Sequence, residues 1–319
     1  MSRALKSDPR ISEATRARIV AIAEQQGYTP NAIARGLVTQ SSGVVGIVLG
    51  NLSNPFYSEM VECLTRQLVN IGKVPMILHI GGRSLDSEAM KPIVEYQMDG
   101  CIIASAPLSS KAADQFARRR LPMVMVNRVA RTHSCAVSCN NRGGGQLIGE
   151  LLIEAGHKRI AFVAGREDTS TSEDREAGFR AAMADAGMEL SDWARGHYTY
   201  DGGYAAAEKL LSIRNRPDAI FAANDVMALG IIDAARQLGI DVPGELSVIG
   251  FDDIRMSSWK SYQLTTIAQP LEPMVERSLD LLRARMENRD IPGEQVFVEG
   301  ELRIRNSARL PKRLINTNE

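Results

Sequence analysis

From residue 44 onward, short apolar runs alternate with amphipathic stretches of helical length. Such alternation marks βαβ units and parallel sheets. Strands are predicted at 44–49, 74–80, 100–104, 123–126, 136–138, 160–164, 219–222, 247–250 and 296–298, most of them short and rich in β-branched residues, as strands buried on both faces are. Helices are predicted at 55–72, 86–97, 110–119, 143–156, 173–187, 202–212, 225–238 and 270–288. Asn54 before Pro55 places an N-cap ahead of a proline at the first helical position, where the missing N–H costs nothing. Gly156 and Gly239 each end a helix. Nine strands exceed one six-stranded sheet, so the economical architecture is two α/β lobes. Ligands in such folds bind at the carboxyl ends of strands, which is where Asn51, Asn54 to Tyr57, Asn127, Arg128, Asn224, Asp225, Asp252 and Asp253 fall.

Residues 1–42 differ in character. Ser12 is predicted to cap a helix running through Gln26, with Glu13 in its first turn and Gly27 as its left-handed stop. The apolar stripe of that helix, Ile19, Ile22 and Ala23, is narrow, and only Leu5 and Ile11 precede it as partners. A shorter helical stretch follows, entered at Pro30 and Asn31 and weakened by Gly36. A weak helix before the linker Thr39-Gln40-Ser41-Ser42-Gly43 suggests a segment that folds against something else.

Composition adds an asymmetry. The 319 residues hold 38 Lys and Arg against 38 Asp and Glu, so the whole chain offers no electrostatic reason to bind nucleic acid. Residues 1–42, however, carry six basic against three acidic side chains, a net of +3 that leaves −3 for the remainder. The basic surplus sits at the front and makes DNA the candidate partner there. Cys63, Cys101, Cys135 and Cys139 are too few and too irregular for a disulfide framework, and the Cys135/Cys139 pair lacks a second cluster, so neither a metal nor a cofactor is expected. No run of 18 apolar residues exists and the N-terminus is polar, which predicts a cytoplasmic protein that engages no membrane. An enzyme is not expected either: G-x-S-x-G, H-E-x-x-H and a Walker loop are absent. Gly143-Gly144-Gly145 lacks the Lys-Ser/Thr of a phosphate loop and reads as a helix start packed closely against its strand.

The motifs Ser2-Arg3-Ala4-Leu5, Asp8-Pro9-Arg10-Ile11-Ser12, Gly27-Tyr28-Thr29-Pro30-Asn31, Ala34-Arg35-Gly36-Leu37, Ser53-Asn54-Pro55-Phe56-Tyr57, Asp99-Gly100, Gly156-His157-Lys158-Arg159-Ile160-Ala161, Arg175-Glu176-Ala177-Gly178-Phe179, Ala223-Asn224-Asp225-Val226-Met227-Ala228, Ser247-Val248-Ile249-Gly250-Phe251-Asp252-Asp253 and Thr265-Thr266-Ile267-Ala268-Gln269-Pro270 come in one order and spacing. Through them the chain resembles the LacI/GalR family of bacterial transcription regulators over essentially its whole length. The resemblance implies an α/β fold: a two-lobed, periplasmic-binding-protein-like effector domain of two parallel sheets flanked by helices, with the chain crossing between lobes three times. An all-α helix-turn-helix headpiece and a hinge helix precede it. The implied divisions are a headpiece at 1–30, a hinge and linker at 31–42, a first lobe at 43–138 plus 270–294, a second lobe at 139–269 plus 295–312, and a tail at 313–319. Family members carry about twenty further residues before the point where this sequence opens, so the headpiece reads as truncated. Position 1 is usually valine, whose GTG codon also starts bacterial genes, and a start codon assigned too far downstream is the expected explanation. The alternatives are a real truncation, giving an effector-binding protein without specific DNA affinity, and a sugar-binding protein of periplasmic type.

By the same resemblance Arg3 reads a base edge, Ser2, Ser12 and Thr15 position phosphates, and Leu37 wedges into a minor-groove step beside Asn31 and Ala34, with Tyr28 in the same surface. The implied effector contacts are Phe56, Tyr57, Arg128, Thr169, Thr171, Arg175, Tyr198, Asn224 and Asp252. Aromatic faces suit the C–H side of a sugar ring while Asp, Asn and Arg pair its hydroxyls, so the expected effector is a polyhydroxylated small molecule such as a sugar. Plainer roles compete: Phe56 in the core, Arg175 in a surface pair with Asp174 or Glu176, Asp252 capping a turn, and Asn54 and Asp253 as structural residues. The expected assembly is a homodimer or tetramer that represses transcription under effector control.

Overall fold

The computed structural model describes residues 12–27, 41–50, 52–81, 84–86, 88–105, 108–129, 135–167 and 169–315. The proposed DNA contacts Ser2, Arg3, Tyr28, Asn31, Ala34 and Leu37 lie outside them. Helix α1 (Glu13–Gln25) starts and stops where the sequence indicates: the Ser12 hydroxyl accepts from Thr15 N, and Gly27 adopts φ +62°. Of its apolar stripe only Ala23 is buried; Ile19 is half-buried and Ile22 exposed.

The described residues from Ser41 onward form two lobes. The first sheet has the order β11-β5-β4-β3-β1-β2 and is parallel throughout, built from β1 (Val44–Leu49), β2 (Val74–His79), β3 (Gly100–Ala104), β4 (Met123–Val126), β5 (Cys135–Cys139) and β11 (Gln295–Val298). The second has the order β12-β10-β9-β8-β6-β7, from β6 (Ile160–Ala164), β7 (Asp192–Arg195), β8 (Ala219–Ala222), β9 (Ser247–Asp252), β10 (Thr265–Ala268) and β12 (Glu301–Arg303). There β12 alone runs antiparallel, against β10. The chain passes between lobes after β5, after β10 and between β11 and β12.

Three of these strands escape the hydrophobic pattern. Edge strand β7 reads Asp-Trp-Ala-Arg and is nowhere fully buried, β12 has three residues, and β10 opens on two threonines. Those threonines are buried because their hydroxyls are satisfied: Thr266 Oγ1 donates to Asp225 Oδ1 at 2.5 Å and Thr265 Oγ1 to the Arg305 carbonyl at 3.1 Å. The assignment of 295–312 to the second lobe is corrected for β11, which pairs with β5 in the first sheet. The helix predicted at 86–97 shortens to Lys91–Glu95, since Asp86 Oδ1 accepts from Glu88 N and Ala89 N and holds a turn where the helix would begin.

Helix α5 (Asn141–Glu154) crosses α6 (Ser170–Asp185) with backbones nearly touching: a β-carbon on Gly145 would meet the Arg175 carbonyl, and one on Gly178 the Arg142 carbonyl. Gly144 lies under the Phe251 ring. The glycine run therefore packs a helix against a second helix and an aromatic ring, rather than against its own strand. This crossing sets where Arg175 points. In the first lobe, Asp99 anchors the linker, accepting from Ser41 Oγ, Ser42 N and Gly43 N and pairing with Lys73 Nζ at 2.9 Å. Burial works against that carboxylate, yet the Ser41 and Lys73 contacts outweigh it and hold its pKa below the ordinary value.

Candidate functional site

The carboxyl ends of β1, β3, β4, β6 and β9 converge on a cleft enclosing about 480 Å³ of space including its mouth, lined by Ser53, Asn54, Tyr57, Ser105, Asn127, Arg128, Arg166, Thr171, Arg175, His197, Tyr198 and Asp252. Six predicted contacts meet there: Tyr57, Arg128, Thr171, Arg175, Tyr198 and Asp252.

The buried pair Arg175–Asp252 organises the second-lobe side. Arg175 NH1 lies 3.3 Å from Asp252 Oδ1 and donates to the Ala223 carbonyl at 2.5 Å, Nε donates to Asn141 Oδ1 at 2.7 Å, and the guanidinium sits 3.7 Å above the centre of the Phe251 ring. Asp252 also accepts from Gln269 Nε2 at 2.7 Å and, across the lobe boundary, from Asn54 Nδ2 at 3.0 Å. Burial raises the Asp252 pKa, while Arg175 and the amide donors act to lower it. Arg175 is thus a buried partner of Asp252, not a surface partner of Glu176, which pairs with Arg180.

Asn54 does two things. Its Oδ1 caps α2 (Pro55–Asn70) by accepting from Phe56 N, which leaves Nδ2 free to reach Asp252. The structural role expected of it is real but incomplete. A second bridge between lobes runs from Val129 N to Ser170 Oγ at 3.2 Å.

Tyr198 occupies space left by Gly165, where a β-carbon would strike the ring, and its hydroxyl is 3.0 Å from Thr171 Oγ1. Opposite, Asn127 Nδ2 donates to the Tyr57 hydroxyl at 3.3 Å, and burial pushes the Tyr57 pKa up. Among the described residues Asn127 Oδ1 and Arg128 Nε are buried without hydrogen-bond partners, and both residues line the cleft. Unmet buried polar atoms of cleft residues are what a ligand would satisfy. Ser105, Asn127, His197, Tyr198 and Asp252 all have positive φ, from 56° to 122°. Left-handed backbone in non-glycine residues is strained, and its concentration around one cleft is typical of a functional site.

Three further predicted contacts lie outside the cleft lining. Phe56 is turned into the core, 3% exposed, with its ring edge-on to Tyr57 at 5.5 Å. Thr169 precedes α6 as its N-cap residue, and its hydroxyl donates to the Arg166 carbonyl. Asn224 caps α8 (Asp225–Gln237) through Met227 N. Ser53, Ser105, Arg166 and His197 were not singled out from sequence. Ser105 and Arg166 each follow a strand directly or by one residue, so the rule that ligands sit at carboxyl strand ends points to them. Ser12 and Thr15 bond one another, their hydroxyls 2.8 Å apart and both residues exposed.

All four cysteines are free and buried, and burial pushes the Cys101 and Cys139 thiols up to about 12. Among the described residues no His, Cys, Asp and Glu side chains cluster as a metal site, and no helix is long and apolar enough to cross a membrane.

Two mainly parallel sheets with a polar cleft at the carboxyl ends of their strands define a small-molecule-binding domain of the periplasmic-binding type. Residues 150–308 match the family described as periplasmic binding protein-like domain, and residues 1–31 match bacterial regulatory proteins, lacI family. The chain is 30% identical to catabolite control protein A of Priestia megaterium over 97% of its own length and 95% of that protein's. It is equally similar to the ribose operon repressor of Escherichia coli K12, at 30% identity over 97% and 95%. A transcriptional regulator CelR–cellobiose complex superposes with a TM-score of 0.75 at 28% identity, covering 96% of this chain and 94% of that one. The chain belongs to the lacI family of bacterial transcriptional regulators.

Proposed function

We propose that the protein is a cytoplasmic, non-enzymatic repressor whose affinity for operator DNA is set by a small polyhydroxylated effector held in the interlobe cleft. The observation that carries this reading is the contact from Asn54 to Asp252, which spans the lobes and ends on the carboxylate that Arg175 holds in place. A ligand inserted there changes the lobe angle, and the first lobe transmits it to the linker through Asp99. Tyr57, Asn54, Asn127 and Arg128 serve the effector from the first lobe, and Thr171, Arg175, Tyr198 and Asp252 from the second. The sugar character draws on relatives named for ribose and cellobiose. A panel of sugars and purines, each screened by thermal shift and then added to DNA selected by the protein from a random-sequence pool, tests the reading. One effector should raise the melting temperature and change DNA affinity about 5- to 150-fold, the usual range of allosteric coupling. No melting response to any member, together with no DNA selected, would overturn it.

Assembly as a homodimer completes the proposal. Val74 and Ile77 on edge strand β2, with Val69 and Ile71 at the end of α2, are 50% to 60% exposed, an apolar patch that suits a two-fold partner. Light scattering on the eluted protein should return the mass of two chains or of four; a single-chain mass at micromolar concentration would sink this element.

A further inference from the structure

Among the described residues the cleft carries more positive charge than its carboxylate can balance: Arg128, Arg166 and Arg175 line it against Asp252 alone, an excess of two positive charges. Asp252 is already engaged by Arg175, Gln269 and Asn54. Glu167, next in sequence to Arg166, pairs with Arg195 instead. Arg128 is the telling residue: it is 8% exposed, lines the cleft, and its Nε has no partner. Among the described residues neither Arg128 nor Arg166 forms an ion pair. A buried guanidinium without a counter-ion is costly, and structures keep one where a ligand completes it.

We infer that the effector is anionic: a small polyol bearing a carboxylate or phosphate group, with that group seated on Arg128 and assisted by Arg166. This rests on the cleft being the effector site, as proposed above. A neutral sugar would offer oxygens to the guanidinium N–H groups but leave both charges uncompensated. A carboxylate or phosphate accepts bidentately and neutralises charge, in hydrogen bonds about twice as strong as neutral ones. The polyol end then meets the Asn127 Oδ1, Tyr57 and Tyr198 groups, which suit hydroxyls.

Calorimetry of the full chain with matched pairs tests this: D-glucose against D-gluconate, and D-ribose against D-ribose 5-phosphate. The anionic member should bind at least about tenfold more tightly, and added salt should weaken it more than its neutral counterpart. The carboxylate and phosphate arms distinguish which anion the cleft takes. In Arg128→Gln the preference should shrink to about threefold or less, whereas Arg128→Lys should retain part of it. The melting temperature of unliganded Arg128→Gln should be unchanged or higher, since an unpaired buried charge is removed. If Arg128→Gln does not fold, Arg166→Gln and the salt dependence of the unmodified protein carry the test. Neutral sugars binding as tightly as their anions, or an anion preference that survives Arg128→Gln, overturns the charge assignment and leaves the effector site standing. No binding by any member of either class overturns both.

Discussion

Asp252→Ala is expected to abolish the effector response and to lower stability by about 3–5 kcal/mol, the usual cost of removing one partner from a buried ion pair. The substitution leaves the Arg175 guanidinium, 2% exposed, with two neutral acceptors and an aromatic face but no counter-charge. It also removes the acceptor for Asn54 Nδ2 and Gln269 Nε2, so the first lobe loses its bond to the second at this point. Two effects therefore coincide, one on folding and one on lobe closure, and they separate experimentally. The double variant Arg175→Met with Asp252→Leu replaces both charges with apolar groups and should melt above Asp252→Ala. It should nevertheless respond to no effector. Chemical denaturation of the two variants and calorimetry with whichever ligand stabilises the unmodified chain provide the measurements. An Asp252→Ala protein that melts normally and binds with unchanged affinity would remove the pair from the centre of the site.

Much of this site was legible because its residues leave parallel strands, and parallel strands declare themselves as apolar runs. Tyr57, Arg128 and Asp252 follow from that rule with the family motifs. The misses have physical causes that residue type does not reveal. Phe56 and Tyr57 are consecutive in the first turn of α2, about 100° apart around the helix, so only one can face the cleft; burial gives the core to Phe56. Thr169 turns its hydroxyl onto the Arg166 carbonyl, and Asn224 uses its amide oxygen as the cap of α8 while its Nδ2 stays buried without a partner among the described residues. Asn54 has one amide with two ends, and naming it a cap accounted for the oxygen but not the nitrogen. His197 is aimed by left-handed backbone that nothing in its side chain requires. Strand β11 changes lobes because its partner is β5, a pairing between residues far apart in the chain that local pattern cannot register.

Asp225→Asn is expected to change the pH dependence of stability rather than effector binding. Asp225 is wholly buried at the start of α8, and its carboxylate accepts from Ile254 N, Ser257 Oγ and Thr266 Oγ1. It thereby pins the loop that follows Asp252, whose own φ is 122°. Gly250 makes room for the carboxylate, since a β-carbon there would strike Oδ1. Burial, reinforced by the nearby Asp252 charge, pushes the Asp225 pKa up to about 7, against the three hydrogen bonds that act to lower it. The sign follows from proton linkage. The folded protein holds this proton more tightly than the unfolded chain, whose aspartate titrates near 3.8. The stability contributed by protonated Asp225 is therefore complete below about pH 4, lost as pH rises toward about 7, and gone above that. Each tenfold in proton affinity is roughly 1.4 kcal/mol, so the window spans a few kcal/mol. Asparagine matches the neutral acid in shape and cannot ionise. Urea titrations of both proteins from pH 4 to pH 8 should find them similar in stability at the acid end, with Asp225→Asn gaining steadily on the unmodified protein as pH rises. A stability difference that stays constant across the series would show that Asp225 is ionised throughout and that its three donors, not burial, set its charge.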